Sequence, residues 1–384
     1  MFENIPKNWK IFSLNDLATI ITGNTPPKNH SEYYETDDIL WVKPSDLSQW
    51  NPWLWETEEK LSESARKVIR ILPVNSVLVS CIGTIGKIGI APVELATNQQ
   101  INSVIFNDKI INFKYGYYAF KYYKDRLENL ASNAVVPIIN KTQFSTFKIP
   151  VPPTLEEQQE IVDVLDAASE IIRLRTACIE SAQSLIPALF QEMFGDPINN
   201  DKNLPKEKIR KIFTLTSGKF IPSKELDSNG QYPVYGGNGI NGYHNEFLFE
   251  DSKICIGRVG VKCGCIHRTE PHSWITDNAL YIDNYLIPIN ETYLKEALTQ
   301  INLNQYAKRA AQPVISQTTI CNQYLLLPPE DQQELFAAKV QEIEAYIKIQ
   351  QAELEKAQTM FNSLLHHAFT GKLTENITFE VENE

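Results

Sequence analysis

The sequence predicts an α+β protein in which two mixed globular domains stand in tandem, separated by two long helices that form an antiparallel coiled coil. One observation is an internal repeat, because short motifs recur in the same order at an offset of about 175 residues. A second is an acidic segment with heptad-spaced apolar residues after each copy of the repeat. A third is the length, since 384 residues suffice for two domains with buried cores.

Four pairs of motifs carry the repeat and cover most of the chain in one order. The pairs join Cys81-Ile82-Gly83-Thr84-Ile85-Gly86 to Cys255-Ile256-Gly257-Arg258-Val259-Gly260, residues 96–99 to 275–278, residues 136–142 to 312–318, and Pro152-Pro153 with Gln158-Gln159 to Pro328-Pro329 with Gln332-Gln333. We interpret this order as a duplication. A duplicated protein carries two similar surfaces.

The formal net charge of −11 comes from the two acidic segments. Residues 1–153 carry 16 basic and 15 acidic side chains, and residues 195–327 carry 14 and 13. Residues 154–194 carry 2 and 8, and residues 328–384 carry 4 and 11. The globular domains are therefore near neutral and can present basic patches. The predicted boundaries are 1–153 and 196–327 for the globular domains, 154–195 for the central helix, 328–371 for the C-terminal helix, and 372–384 for a tail without a seam, expected to be disordered.

Composition favours a cytoplasmic globular protein. Hydrophobic residues make up 43% and charged residues 22%, and no run of about 18 apolar residues or signal-peptide pattern is found. Six cysteines show no disulfide framework. Cys263-Gly264-Cys265 with His267 and His272 could suggest zinc, but ligand cysteines are usually two to four residues apart. We expect no metal site.

Each acidic segment is predicted to form one long amphipathic helix. Thr154 with Glu157 forms a capping box at the first start. The first apolar ladder is Ile161, Leu165, Ala168, Ile172, Ile179, Ala182, Ile186, Leu189 and Met193, and the second is Phe336, Val340, Ile343, Ile347, Leu354, Ala357, Phe361, Leu364 and Ala368. Both ladders are interrupted by a polar step, Arg175 and Gln350, which antiparallel pairing would bring close together. The alternative is two separate helices, each packed on its own domain.

Two further features distinguish the first helix. Pro187 removes a helix hydrogen bond and should kink or break the helix near Leu185. A second apolar stripe, spaced by seven residues, consists of Val164, Ile171, Cys178 and Leu185. Such a stripe packs under a globular domain or receives another chain, and we favour a partner. The predicted subunit interface is this stripe together with Arg175 and Gln350.

Catalytic motifs are absent from the sequence. Asn51-Pro52-Trp53-Leu54 lacks the second proline of an amino-methyltransferase loop, and Gly83-Thr84-Ile85-Gly86-Lys87 has the wrong spacing for a P-loop. Neither a Gly-x-Ser-x-Gly elbow nor a His-Glu-x-x-His helix occurs. The chain is therefore predicted not to be an enzyme.

Polar side chains on glycine-supported turns are the candidates for binding DNA. Amides read adenine edges, Arg and Lys read guanine, and carboxylates accept from cytosine, while lysines also position phosphates. The candidates are Lys43, Ser45, Thr84, Lys87, Asn98, Gln99 and Gln100 in the first copy, and Lys219, Asn238, Asn241, Tyr243, His244, Arg258, Lys262, Asp277 and Asn278 in the second. The alternative for each residue alone is an ordinary turn or strand-cap group.

These features resemble the specificity subunit of Type I restriction–modification systems over essentially the whole chain. The resemblance rests on the starts Ile5-Pro6-Lys7-Asn8-Trp9 and Leu204-Pro205-Lys206, the glycine turn, the Pro-Pro to Gln-Gln exit, the long helix after each copy, and residues 232–240. The first copy lacks a clear counterpart of Tyr235-Gly236-Gly237-Asn238-Gly239.

The resemblance implies that each globular domain is a target-recognition domain for one half of a split, asymmetric double-stranded DNA site, and that the paired helices set the unread gap. It implies two methyltransferase subunits, which carry S-adenosylmethionine and flip an adenine for N6 methylation. A restriction subunit, a motor-nuclease using ATP and Mg²⁺, joins for cleavage. No cofactor is expected in this chain, and no membrane.

Three other functions stay open at this point. The chain could be the recognition half of a fused restriction–methylation enzyme, which catalytic motifs upstream in the reading frame would favour. It could be a structural or carbohydrate-binding repeat protein, which salt-dependent binding to duplex DNA would argue against. It could also be a solitary subunit that caps or inhibits a related complex.

Overall fold

The computed structural model describes residues 5–132, 135–308 and 312–373, which form two compact units. Of these described residues, unit 1 contains those up to Ala177 and those from Gln351 on, and unit 2 contains those between Cys178 and Gln350. The division therefore falls inside two 40-residue helices rather than at their ends. Most of the predicted tail, 374–384, lies outside the described residues.

Among the described residues, the globular part of unit 1 contains nine strands and four short α-helices that precede the first long helix. Its elements are β1 (Lys10–Ser13), α1 (Leu14–Leu17), β2 (Ala18–Thr22), β3 (Ile39–Val42), β4 (Lys60–Leu61), β5 (Val77–Ser80), β6 (Ile88–Ile90), β7 (Ala96–Thr97), β8 (Ile101–Phe106), α2 (Phe113–Tyr122), α3 (Lys124–Glu128), α4 (Lys141–Ser145), β9 (Lys148–Val151) and the long α5 (Leu155–Phe194). Three sheets result, in the orders β2-β8-β5-β6, β4-β3-β7 and β1-β9.

Unit 2 repeats this architecture. Its elements are β10 (Lys206–Lys208), β11 (Phe213–Ser217), β12 (Tyr232–Gly236), β13 (Gly239–His244), β14 (Ile254–Gly257), β15 (Ile266–Arg268), β16 (Trp274–Ile275), β17 (Ala279–Tyr285), α6 (Glu291–Gln300), α7 (Gln317–Cys321), β18 (Tyr324–Leu326) and the long α8 (Glu330–Phe369). The sheet orders β11-β17-β14-β15, β13-β12-β16 and β10-β18 match those of unit 1 strand for strand. In each three-stranded sheet one pairing is parallel, β3 with β7 and β12 with β16. The predicted α+β repeat is confirmed.

The long helices pair antiparallel within each unit. In unit 1 the first half of α5 buries Ile161 and Leu165 in one core with Phe361 and Ala357 from the last half of α8. The Arg175 guanidinium there lies 3.5 Å from Glu353 Oε2. In unit 2 the Cys178 Sγ and Tyr346 Oη atoms are 3.0 Å apart. The coiled-coil prediction is confirmed, and the alternative of two separate helices is wrong.

The buried seam shifts by one residue at the end of α5. Leu189 and Met193 are only partly buried, whereas Phe190 and Phe194 are fully buried. At the end of α8, Phe369 is buried together with the seam residue Ala368. A straight helix has 3.6 residues per turn rather than 3.5, so a heptad seam drifts round its surface. Phe190 and Phe194 then contact both the partner helix, through Phe336, and the globular part of their unit, through Tyr293.

These aromatic residues complete the two cores. The Phe194 ring lies 5.0 Å from the Tyr293 ring of α6, and the Phe369 ring lies 5.2 Å from the Tyr115 ring of α2. Each globular part is thus closed by the end of the helix that follows the other copy in sequence. Burying such rings stabilises a core by a few kcal/mol each, about 3–5 on truncation to alanine.

Pro187 does not break the first helix. Residues on both sides belong to the same continuous α5, and Pro187 itself is exposed. Proline removes one backbone donor, and a carbonyl that loses its donor on an exposed helix face can be hydrated. The expectation of a break near Leu185 is therefore wrong.

The Pro-Pro to Gln-Gln motif joins the long helix to the globular part. Gln158 is 1% exposed, and its Oε1 accepts the backbone N–H of Asn112 at 2.8 Å. Gln333 accepts the N–H of Asn290 at 3.0 Å in the same way. The two asparagines are the N-caps of α2 and α6. Gln158 therefore corresponds to Gln333, one residue away from the sequence-based pairing with Gln332.

Candidate nucleic-acid interface

The candidate interface is centred on the glycine turn that follows β5 in unit 1 and β14 in unit 2, each in the four-stranded sheet. The Gly83 N–H donates to the Pro137 carbonyl at 3.0 Å, and the Gly260 N–H donates to the Pro313 carbonyl at 2.9 Å. Gly83 therefore corresponds to Gly260.

Two further hydrogen bonds of these turns revise the predicted repeat pairing. The Ile139 N–H donates to the Cys81 carbonyl and the Ile315 N–H to the Arg258 carbonyl, both at 2.9 Å. Cys81 thus corresponds to Arg258, and pairing it with Cys255 is wrong by three residues. Cys255 lies inside β14, so the shared Cys-Ile-Gly letters fall at different places in the fold.

Two glycines with positive φ bound each turn. The φ angles are +75° and +74° at Gly83 and Gly86, and +97° and +88° at Gly260 and Gly264. Glycine adopts this left-handed backbone without the steric cost of a Cβ atom. The second turn holds one more residue between its glycines than the first, so a gapless alignment cannot pair both ends.

In unit 1 the structure brings together the loops after β3, β5 and β7. The Asn98 N–H donates to the Val42 carbonyl at 3.0 Å, beside Lys43. The Lys87 Nζ donates to the Pro44 carbonyl at 3.1 Å, next to the exposed Ser45. The predicted residues Lys43, Ser45, Lys87 and 98–100 therefore share one region.

Several of these side chains already have partners. Lys43 pairs with Glu59, and its Nζ lies 5.0 Å from the Trp41 ring. Asn98 is 6% exposed and its amide bonds to Gln100, so Asn98 shapes the turn. Gln99 and Thr84 are exposed, which leaves them better placed to contact a ligand.

In unit 2 three loops converge. The Arg258 N–H donates to the Asn278 carbonyl at 3.0 Å, and Arg258 Nη1 lies 3.4 Å from Ser217 Oγ. A Cβ on Gly237 would lie 2.9 Å from the Val259 carbonyl oxygen, so glycine allows the loop that carries Asn238 to approach the turn. Asn238, Asp277 and Asn278 are all exposed.

Lys219 belongs to the same region. Its N–H donates to the Ile275 carbonyl at 2.9 Å, and its Nζ lies 5.9 Å from the Trp274 ring. His244 packs against the same ring at 5.5 Å, and its Nδ1 accepts the Glu246 N–H. Lys219 and His244 therefore meet at Trp274.

The remaining predicted residues lie on β13 and in the glycine turn. Asn241 covers Gly236, where an added Cβ would lie 1.9 Å from the Asn241 Nδ2 atom. Tyr243 is 38% exposed. Lys262 lies between Gly260 and Gly264 and lines a cavity against α6 with Thr299, rather than facing the Arg258 loops.

Sequence reasoning missed Thr25 and Phe220. A Cβ on Gly23 would lie 2.2 Å from the Thr97 carbonyl, and one on Gly218 would lie 2.2 Å from the Thr276 carbonyl, so these glycines correspond. Two residues on, the Thr25 hydroxyl bonds Gln99 at 2.6 Å, and Phe220 is 67% exposed. The signal was a strand followed by Gly and a polar residue in both copies.

The surface stripe on α5 is accessible. Ile171 is 40% exposed and Leu185 is 53% exposed, while Val164 and Cys178 are half-buried. Exposed apolar residues at helical spacing are typical of a docking surface.

The site shows no sign of metal or thiol chemistry in the part of the chain that the structure describes. No group of three His, Cys, Asp or Glu residues there is placed to hold a metal ion. Burial raises the pKa of Cys81 and of Cys255 to about 12, which keeps these thiols protonated and unreactive at neutral pH. Of the helices described, none has the length and apolarity to cross a bilayer.

Comparison with known proteins decides the family. The model of the Type I restriction modification DNA specificity domain matches twice, over residues 6–182 and 203–359. The chain belongs to this family. Its members supply DNA target recognition to Type I restriction–modification systems, and they are non-catalytic specificity proteins.

Relatives of this specificity family match over nearly the whole chain. The Type I restriction enzyme EcoprrI specificity subunit of Escherichia coli is 27% identical over 357 residues, covering 88% of each chain. The Type I restriction enzyme MjaIX specificity subunit of Methanocaldococcus jannaschii is 25% identical over 411 residues, covering 96% of this chain and 94% of its own.

Solved structures share the fold. The S subunit of a Type I restriction–modification system from M. genitalium superposes with a TM-score of 0.56 at 18% identity, covering 96% of this chain and 97% of that one. A chain from work on complex assembly and conformational transition of the type I R-M system gives 0.55 at 15% identity, covering 95% and 98%.

Proposed function

We propose that this specificity-family protein recognises a bipartite, asymmetric double-stranded DNA site, each unit reading one half. The observation that carries the proposal is one scaffold with different side chains at corresponding positions of its turns, of which Gln99, Asp277 and Asn278 are exposed. Arg258 replaces Cys81, and Asp277 and Asn278 replace Gln99 and Gln100. The predicted pairing of residues 96–99 with 275–278 is therefore wrong by one residue.

The chemistry of these groups suits base reading. An arginine pairs best with guanine, an amide with adenine, and a carboxylate accepts from the cytosine amino group. Because the two sets differ, the two half-sites are expected to differ in sequence. Main-chain hydrogen bonds hold Arg258 and Asn278 on a common framework, which limits the entropy lost on binding.

We also propose that the chain scaffolds two methyltransferase subunits and restriction subunits. The exposed stripe on α5 supports a protein-docking role, as does the net acidity of the helical segments, which disfavours a DNA face. S-adenosylmethionine, ATP and Mg²⁺ would be bound by those partners, and this chain would contribute only the recognition of the DNA site.

Charge reversal at Arg258 tests the reading role. Arg258→Glu should weaken binding to sites with the correct unit 2 half by about 1–3 kcal/mol, roughly 5- to 150-fold, while discrimination at the other half is retained. Duplexes mutated in one half at a time, assayed with the assembled methyltransferase, provide the measurement. Arg210→Glu, at an exposed arginine outside the loops, is the matched control. Equal loss of discrimination at both halves would refute independent reading by the units.

A further inference from the structure

Each unit has a cavity between the glycine turn and the helix that follows β8 or β17, and in unit 1 this cavity is rich in lysine. The unit 1 cavity, about 340 Å³, is lined by Lys87, Lys121 and Lys124. The unit 2 cavity, about 420 Å³, is lined by Cys265, Thr299 and Asn302, with Lys262 at the turn.

The two sets of residues occupy corresponding positions. The Ser80 N–H donates to the Lys87 carbonyl, and the Gly257 N–H donates to the Cys265 carbonyl, both at 2.9 Å. Helices α2 and α6 are both 10 residues long and both follow an asparagine N-cap, which places Lys121 at the position of Thr299 and Lys124 at that of Asn302. The corresponding cavity of unit 2 forms without lysines at these three positions. Folding therefore does not require the positive charge of the unit 1 cavity.

Lys121 is enclosed by aromatic rings and a backbone carbonyl, and no carboxylate among the described residues forms an ion pair with its ammonium group. Its Nζ donates to the Gln49 carbonyl at 3.0 Å and lies 4.4 Å from the Trp50 ring and 4.8 Å from the Phe361 ring. Burial lowers its pKa from 10.5 to about 8, so the ammonium group is still largely protonated at neutral pH. Aromatic faces attract a cation but do not neutralise it.

The neighbouring lysines add to this positive field. Lys87 donates to the Pro44 carbonyl, and no carboxylate among the described residues lies within ion-pair distance of Lys87 or Lys121. Lys124 lies 3.4 Å from Glu128, and its stem crosses Gly86, where an added Cβ would meet Lys124 Cγ at 3.0 Å. Two uncompensated ammonium groups and a third lysine thus face one cavity, an arrangement that favours an anion.

We propose that the lysine cavity of unit 1 binds a phosphate group. Lysines bind phosphate as point charges, and the exposed Thr84 on the same turn offers a hydroxyl donor. The phosphate has two sources, the backbone of duplex DNA or a free anion. Assigning it to the DNA backbone rests on the proposed function, whereas the binding of phosphate does not.

The residues of unit 2 supply the test variant. Lys121→Thr with Lys124→Asn installs side chains that the same cavity already accommodates in unit 2, and Lys124→Asn alone changes only an exposed residue, which guards against misfolding. Lys109→Ala, an exposed lysine outside the cavity, is the matched control. The full chain is titrated with inorganic phosphate by calorimetry, and with a duplex at several salt concentrations.

We expect the double variant to lose at least about fivefold in affinity for the group it binds, with Lys109→Ala unchanged. If the source is the DNA backbone, duplex affinity falls equally for all sequences and the salt slope drops by about one per lost contact. If the source is a free anion, only the titration with inorganic phosphate changes, and duplex binding stays as in the wild type.

Equal affinity of wild type and both variants for inorganic phosphate and for duplex would overturn the proposal. Failure of the proposed function gives a different result. The chain would then bind inorganic phosphate at Lys121 and Lys124 but would bind no duplex, which supports the phosphate site and contradicts the role in DNA recognition.

Discussion

The buried glutamine after each proline pair connects a long helix to its globular part. Besides the Asn112 N–H, Gln158 serves two carbonyl groups, since its Nε2 donates to Ile110 at 3.2 Å and to Pro152 at 3.4 Å. Gln333 likewise donates to the Pro328 carbonyl at 2.9 Å. One side chain thereby satisfies backbone groups that would otherwise be buried without partners.

Replacing either glutamine by leucine should destabilise its own unit by about 1–3 kcal/mol, because the buried backbone groups lose their partners. Gln158→Leu should speed amide exchange in α2, and Gln333→Leu should do so in α6, each sparing the other helix. Hydrogen exchange with mass spectrometry measures this, and Gln183→Leu at an exposed position of α5 is the control. Unchanged protection of the amides of α2 and α6 from exchange would contradict the role of the two glutamines in holding these helices to the long helices.

At the scale of elements, each long helix is divided between the two units, and each unit contains its own set of contacts between α5 and α8. The division of the units falls after Ala177 in α5 and after Gln350 in α8. Contacts within unit 1, such as Arg175 with Glu353, and within unit 2, such as Cys178 with Tyr346, lie on opposite sides of these points.

Inserting seven residues after Ala177 and seven after Gln350 should preserve both units and lengthen the gap between half-sites. Seven helical residues add about 10 Å, which equals about 3 base pairs of duplex. Sequencing of methylated adenines with the assembled methyltransferase measures the gap. A heptad added to α5 alone leaves seven residues unpaired and should lower stability instead. A gap that stays the same in the double insertion would contradict the expectation that the paired helices set the gap.

At the scale of the whole molecule, two units of one architecture carry different side chains on their turns, and the specificity proteins of this family are non-catalytic. Supplied with S-adenosylmethionine, ATP, Mg²⁺ and a duplex, the purified chain should neither methylate nor cleave. Addition of methyltransferase subunits to the same reaction should produce adenine methylation. Incorporation of labelled methyl groups and gel analysis of the duplex give the readout, and turnover by the chain alone would contradict the assignment as a non-catalytic subunit.

The candidate site was only partly predictable. The turns that carry Lys87, Arg258 and Asn278 were found because glycine and polar residues cluster there in sequence. The burial of Asn98, and the exposure of Phe220, depend on which strand packs beside each turn. Local sequence does not contain that information.

Periodicity and order in the sequence determined the duplication, the α+β class and the antiparallel helix pair, since apolar spacing dictates which helix face must leave water. The tertiary structure alone decided that Cys81 corresponds to Arg258, because backbone hydrogen bonds, and not matching letters, set the register of a strand and its turn. It also decided that Phe194 and Phe369 close the cores of the units, because a straight helix turns its seam away from the heptad positions over five turns or more.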